Sequence, residues 1–114
     1  GVTKDMAAAH DWYLKAANQG LGRAEFYMGV RYELGDTVKR DVREAFRWYL
    51  RAAEKDVLQA QFNVGNMYRR GLGTQKDFSE ALRWFQRAAA RGAGGLAARL
   101  RLAAFAMRRK EKST

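Results

Sequence analysis

Proline and cysteine are both absent from these 114 residues, and histidine occurs once, as His10. Without cysteine there is no disulfide and no thiolate metal site, a condition that any compartment permits. No apolar run approaches the ~20 residues that span a bilayer, and the given sequence contains no signal peptide, so localisation is not legible. Acidic residues are scarce beside basic ones, 12 against 22, for a net charge of +10. The excess is uneven. Arg91, Arg99, Arg101, Arg108, Arg109, Lys110 and Lys112 stand against Glu111 alone at the C-terminal end. An excess of that sign favours an acidic partner.

Catalytic and metal-binding constellations are missing too. His10 has no cysteine and no second histidine to share a metal. The Gly71-Leu72-Gly73 stretch lacks the Lys-Ser/Thr of a phosphate loop and reads as a helix terminator. No nucleophile has a recognisable base partner. The expectation is a non-enzymatic protein with no catalytic residue, no metal and no cofactor.

What the chain does have is one unit written three times at a spacing of 36 residues. Asp5, Asp41 and Asp77 recur in it, as do Ala9, Ala45 and Ala81, and Trp12, Trp48 and Trp84. Ala24/Ala60, Phe26/Phe62, Gly29/Gly65, Tyr32/Tyr68 and Gly35/Gly71 repeat at the same interval. A period this short means one small supersecondary unit stacked on copies of itself. Such stacks build extended surfaces rather than catalytic pockets. Alanine, leucine, arginine and glutamate are abundant, which favours helix.

Two helices per unit follow from the apolar spacing. Helix B is expected over 5–19, 41–55 and 77–91, with Ala45, Trp48, Tyr49 and Ala52 on one face and Arg43, Arg47 and Arg51 on another. Asp41 with Glu44, and Asp77 with Glu80, have the spacing of a capping box; in the first copy Asp5 remains and Ala8 replaces the glutamate. Gly20 and Gly92 stand where a left-handed helix stop wants glycine, and Asp56 is a poorer choice in the second copy. Helix A is expected over 23–34 and 59–70, with Ala24, Met28 and Tyr32 matched by Ala60, Val64 and Tyr68. Mid-helix Gly29 and Gly65 each cost ~1 kcal/mol against alanine, so the spacing predicts a close neighbour there. Short loops at 35–40 and 71–76 make A and B an antiparallel pair.

The pattern A-x-x-x-[MV]-G-x-x-Y-x-x-G followed by D-x-x-x-A-x-x-W-x-x-x-A-A resembles the Sel-1-like repeat, a longer relative of the tetratricopeptide repeat. It covers residue 1 to about 92. The resemblance implies an all-α, right-handed α-α superhelix, a solenoid of antiparallel helix pairs that serves as a non-enzymatic protein-interaction scaffold. The expected divisions are a partial repeat at 1–20 with helix B only, repeats at 21–56 and 57–92, a terminal capping helix at 93–110 and a basic tail at 111–114. Gly1 aligns with Gly73, so the chain is expected to be a segment of a longer array, with Trp12 and Tyr13 half covered. After Gly95 the code is lost, since Arg101 and Ala104 replace the repeated glycine and tyrosine, but Leu96, Leu100, Ala103 and Met107 keep an apolar stripe.

In arrays like the tetratricopeptide repeat the A helices line a concave face. If so here, Arg23, Tyr27, Val30 and Leu34 face the groove from the first A helix. Gln59, Asn63, Asn66 and Arg70 face it from the second, and Arg99 and Leu102, with Ala106, from the terminal helix. The expected partner is a protein or peptide of acidic character held in that groove. The rival is an anionic nucleic acid or membrane surface met by the basic C-terminal helix through Arg108, Arg109 and Lys110. Self-assembly through the solenoid ends is a third class. Basic positions also line up across units, Lys4/Arg40/Lys76 in loops and Lys15/Arg51/Arg87 on helix B, and are expected to form a solvated outer face. The three tryptophans hold core positions and are expected to be buried.

Overall fold

Five helices follow one another: α1 (Lys4–Asn18), α2 (Gly22–Leu34), α3 (Val42–Glu54), α4 (Leu58–Arg70) and α5 (Phe78–Arg91). A computed structural model describes residues 3–91, 99, 101–104 and 106–108. Gly1, Gly92, Leu96, Leu100, Arg109, Lys110 and the tail at 111–114 lie outside the described residues. Helices α1, α3 and α5 are the B copies, and α2 and α4 the A copies. Each helix packs on the next in sequence, α1 on α2 through α4 on α5. The result is an elongated stack of 51 × 27 × 22 Å, with no strand among the described residues.

The helix starts show how local signals and packing share the work. Asp41 Oδ1 accepts from the amides of Arg43 and Glu44, both at 3.1 Å, and Asp77 Oδ1 accepts from Glu80 N at 3.0 Å. Only half of each expected capping box forms. The reciprocal donor is already committed, because Asp41 N donates to Tyr32 O and Asp77 N to Tyr68 O, both at 2.9 Å. Glu44 and Glu80 turn instead to Arg47 and Arg83. The cap aspartate therefore clamps helix B to the end of the preceding helix A. Asp5 departs from the pattern. No helix A precedes it among the described residues, and α1 starts earlier, with Thr3 Oγ1 accepting from Met6 N at 3.1 Å.

The B-to-A connections are three-residue turns closed by paired backbone bonds. Val57 N donates to Ala52 O and Asp56 N to Ala53 O, as Leu21 N does to Ala16 O and Gly20 N to Ala17 O. This arrangement requires a left-handed residue. Gly20 supplies it at φ 82°, and Asp56 supplies it at φ 65° despite its side chain. The carboxylate offsets the strain by gathering partners from the next unit: Arg87 Nη2 and Arg91 Nη1 at 3.1 Å, and Gln61 Nε2 at 3.3 Å. The hydrogen bond from Arg87 holds the Asp56 carboxyl below the usual carboxylate range.

Packing is centred on aromatic rings laid over glycines. A β-carbon on Gly29 would lie 2.6 Å from the Tyr49 ring, and one on Gly65 would lie 2.7 Å from the Phe85 ring. Tyr49 and Phe85 are 1 % and 2 % exposed, each burial contributing ~1.5–3 kcal/mol. The Tyr49 hydroxyl is satisfied by donating to Glu33 Oε1 at 2.7 Å. Burial and the adjacent carboxylate push this phenol far above its ordinary value. Ala104 and Met107 join Phe85, Ala81, Ala88 and Ala89 in one buried cluster at the C-terminal end.

The three tryptophans do not share one environment. Trp48 is buried against Ala16 and Ala17 of the preceding unit and Ala24 and Met28 of its own. Trp84 is half-buried, and Trp12 is 65 % exposed. The position is a contact between units, so its burial depends on the unit before it, and none is present for Trp12 among the described residues.

Three outcomes are expected. Gly65→Ala improves helix propensity by up to ~1 kcal/mol yet lowers stability by a net ~1–3 kcal/mol in urea unfolding, because the ring of Phe85 occupies the β-carbon site. Trp48→Ala costs ~3–5 kcal/mol in the same assay, whereas Trp12→Ala stays within about 0.5 kcal/mol. Asp56→Asn lowers the melting temperature at about pH 7. The gap closes as pH falls from the ordinary carboxylate value through the depressed value of Asp56, since a carboxylate with a lowered folded-state pKa stabilises fully above its unfolded value and ceases to do so below its folded one. A gap that stays constant down to acid pH would show that the Asp56 charge is not involved.

Candidate protein-binding groove

Helix α2 turns Ala24, Glu25 and Met28 inward, and α4 turns Ala60, Gln61 and Val64 inward. The inward polar pair occupies one repeat position and is resolved in two ways. Glu25 is 2 % exposed and receives Lys55 Nζ at 2.6 and 2.7 Å on its two oxygens. Gln61 is fully buried, with Nε2 donating to Ala53 O at 3.1 Å. Both belong to packing between helices. The other side of α2 and α4 is left for solvent or a partner.

On that side lie three open depressions that share residues at their borders. The first, about 410 Å³, lies between Tyr13, Arg23, Tyr27, Val30, Val57 and Gln59. The second, about 330 Å³, is formed by Phe26, Leu58, Gln59, Phe62 and Asn63. The third, about 550 Å³, runs from Phe62 past Asn66, Arg69, Arg70 and Lys76 to Ala106 and Met107. Phe26 and Gln59 border the first two, and Phe62 borders the last two, so the depressions form one groove across α2, α4 and the terminal helical residues.

Eight of the eleven groove positions read from the sequence line these depressions: Arg23, Tyr27, Val30, Gln59, Asn63, Asn66, Arg70 and Ala106. Leu34, Arg99 and Leu102 are exposed but do not line them. Arg108 is exposed as well. Asn66 is not free, because its Oδ1 accepts from Arg69 Nε at 3.3 Å and Nη2 at 2.7 Å. Among the lining residues that sequence reasoning left out are Phe26, Leu58 and Phe62, and the cations Arg69 and Lys76. Phe62 is 41 % exposed at the junction of two depressions. The one-period repetition of Phe26 and Phe62 was visible, but a repeated phenylalanine reads as core until a second helix shows which side of it is covered.

Aromatic stacking shapes the first depression. The rings of Tyr13 and Tyr27 stack with centroids 3.9 Å apart, and the Arg31 guanidinium lies 4.9 Å from the Tyr27 centroid. Arg31 is anchored by Asp36 at 2.6 Å. The basic rows are also largely engaged. Arg51 and Arg87 lie over the rings of Trp48 and Trp84, and Arg87 further donates to Glu54 O of the preceding unit. Arg40 Nε donates to Glu33 O, and Lys76 Nζ sits 5.0 Å above Phe78. His10 Nδ1 pairs with Thr37 Oγ1 at 3.0 Å. Among the described residues no three His, Cys, Asp or Glu side chains gather as a metal site, and no helix is long and apolar enough to cross a membrane.

Comparison with known proteins agrees with the stack of helix pairs. The family model for the Sel1 repeat matches residues 1–21, 22–57 and 58–92. A Sel1 repeat protein from Oxalobacter formigenes superposes with a TM-score of 0.75 at 43 % identity, over 81 % of this chain and 38 % of that one. A protective antigen present in uropathogenic Escherichia coli strains, also displaying this fold, gives 0.74 at 44 % identity over 80 % of this chain and 20 % of that one. Helicobacter pylori cysteine-rich protein B gives 0.72 at 25 % identity over 76 % and 65 %. The chain thus spans less than two thirds of the length of each. It shares its fold with a cysteine-rich protein while containing no cysteine itself. No curated protein matches the chain.

Proposed function

The chain belongs to the Sel1 repeat family, whose members are generally non-catalytic protein-interaction scaffolds, and we propose that its own partner is held in the groove across α2 and α4. The observation that carries this reading is the exposed ring of Phe62 at the junction of two depressions, with Phe26 and Leu58 beside it and the amides of Gln59 and Asn63 at the edge. A helix that needed Phe62 only for its core would cover it. Apolar surface flanked by amides suits a polypeptide: the rings take a side chain, and the amides pair with its backbone N–H and C=O groups. The outer faces of α3 and α5 offer less, since Arg47, Arg51, Arg83, Arg87 and Arg91 are engaged with tryptophans, glutamates or Asp56.

The test is retention of proteins from the native cell extract on the immobilised chain, compared among variants. Phe62→Ala and Tyr27→Ala should keep the helical circular dichroism and weaken retention of the principal partner about tenfold or more, as central anchors do. Neutralising Arg108, Arg109 and Lys110 together should change mainly the salt dependence of binding. Normal retention by the groove variants, with loss at every salt concentration in the triple variant, would move the function to the C-terminal basic segment.

A further inference from the structure

The charges along the groove are segregated in a way that points to the chemistry of the occupant. Its lining contains Arg23, Arg31, Arg69, Arg70 and Lys76 and no carboxylate. Helix α4 has no acidic residue at all. The carboxylates of α2 and the following loop are committed to partners of their own: Glu25 to Lys55, Glu33 to the Tyr49 hydroxyl and Asp36 to Arg31. Asp41 and Asp77 are committed to helix caps. Arg31 is neutralised by Asp36, and Arg69 is tied to a neutral amide. Arg23 and Arg70 have no ion-pair or hydrogen-bond partner among the described residues. Both are exposed. They stand in the first and third depressions, with the apolar Phe26–Leu58–Phe62 segment between them. Arg69 and Lys76 line the same depression as Arg70, so the positive potential is stronger at that end.

From this arrangement, and resting on the groove reading above, we infer that the occupant is a protein segment with an apolar side chain, seated on Phe62, and carboxylates beside it, seated against Arg69, Arg70 and Lys76. Asp and Glu are the matching side chains, because a guanidinium meets a carboxylate through two parallel hydrogen bonds. A nucleic acid fits less well. Its phosphates need a continuous row of cations, whereas here an apolar stretch separates Arg23 from Arg70.

The inference is tested by selecting a randomised twelve-residue peptide library on the folded 114-residue chain, and in parallel on its Arg70→Glu/Lys76→Glu and Phe62→Ala variants. The wild type should enrich peptides with an aromatic or aliphatic residue followed or preceded by Asp or Glu. On the charge-reversed variant the apolar residue should persist, the acidic preference should turn basic, and a wild-type-selected peptide should bind about tenfold more weakly. Phe62→Ala should lose the apolar preference. Identical selections on the wild type and the charge-reversed variant overturn the inference, as does the absence of any enriched peptide. If Phe62→Ala still abolishes binding in the first of those cases, the groove reading stands while the acidic preference falls. If selected peptides bind Phe62→Ala unchanged, the groove reading itself falls. A single-stranded oligonucleotide of equal length, added as competitor, should displace the peptide poorly; displacement at low salt that vanishes at moderate salt would assign the groove to nucleic acid instead.

Discussion

Two aromatic rings resting on two glycines set the spacing of the stack. Tyr49 lies over Gly29 and Phe85 over Gly65, at distances that no β-carbon would tolerate. Each glycine sacrifices helix propensity, and the sacrifice is recovered because the next helix comes close enough to bury its ring. Around that contact the small residues at 45, 52, 53, 60, 81 and 88 are fully enclosed, since only alanine fits between backbones this near to one another. The cap aspartates then fix where helix B begins relative to the end of helix A, through the bonds from Asp41 N and Asp77 N to the Tyr32 and Tyr68 carbonyls.

The same packing decides which charges are available. Several cations on the B helices and the turns after them are drawn into the stack: Arg51 and Arg87 cover tryptophans, Arg87 and Arg91 hold the strained Asp56, and Lys55 neutralises the buried Glu25. A net charge of +10 therefore says little about where a partner binds. In the proposed reading the cations that count are those left without partners, and Arg23 and Arg70 line depressions on the groove side of the A helices. The Sel1 repeat frame supplies a repeated surface, and the side chains that repeat least faithfully from unit to unit give that surface its character: Tyr27 against Asn63, Val30 against Asn66, Leu34 against Arg70.

Much of this was written in the chain. The interval of 36 residues announced a stack of helix pairs, and the apolar spacing placed helix boundaries within a residue or two of those observed. Mid-helix glycines announced a close neighbour because nothing local favours them. Groove positions were legible in part, since the side of a helix away from its core stripe follows from periodicity alone. The half-formed capping boxes were not legible, because the competing acceptor for the Asp41 amide is a carbonyl nine residues earlier in sequence, brought near only by the antiparallel turn.

Sequence by itself determined the helices, their order and the residues able to lie between them, because these depend on spacing within one helix or one repeat. Tertiary structure alone decided the rest. One repeated tryptophan is buried at 48, half-buried at 84 and exposed at 12, according to the neighbours each meets. Phe62 packs on the buried ring of Phe85 and is still 41 % exposed, and among the described residues some arginines are paired while others are not. Burial and charge pairing are properties of neighbours, and neighbours from different repeats meet only once the chain has stacked.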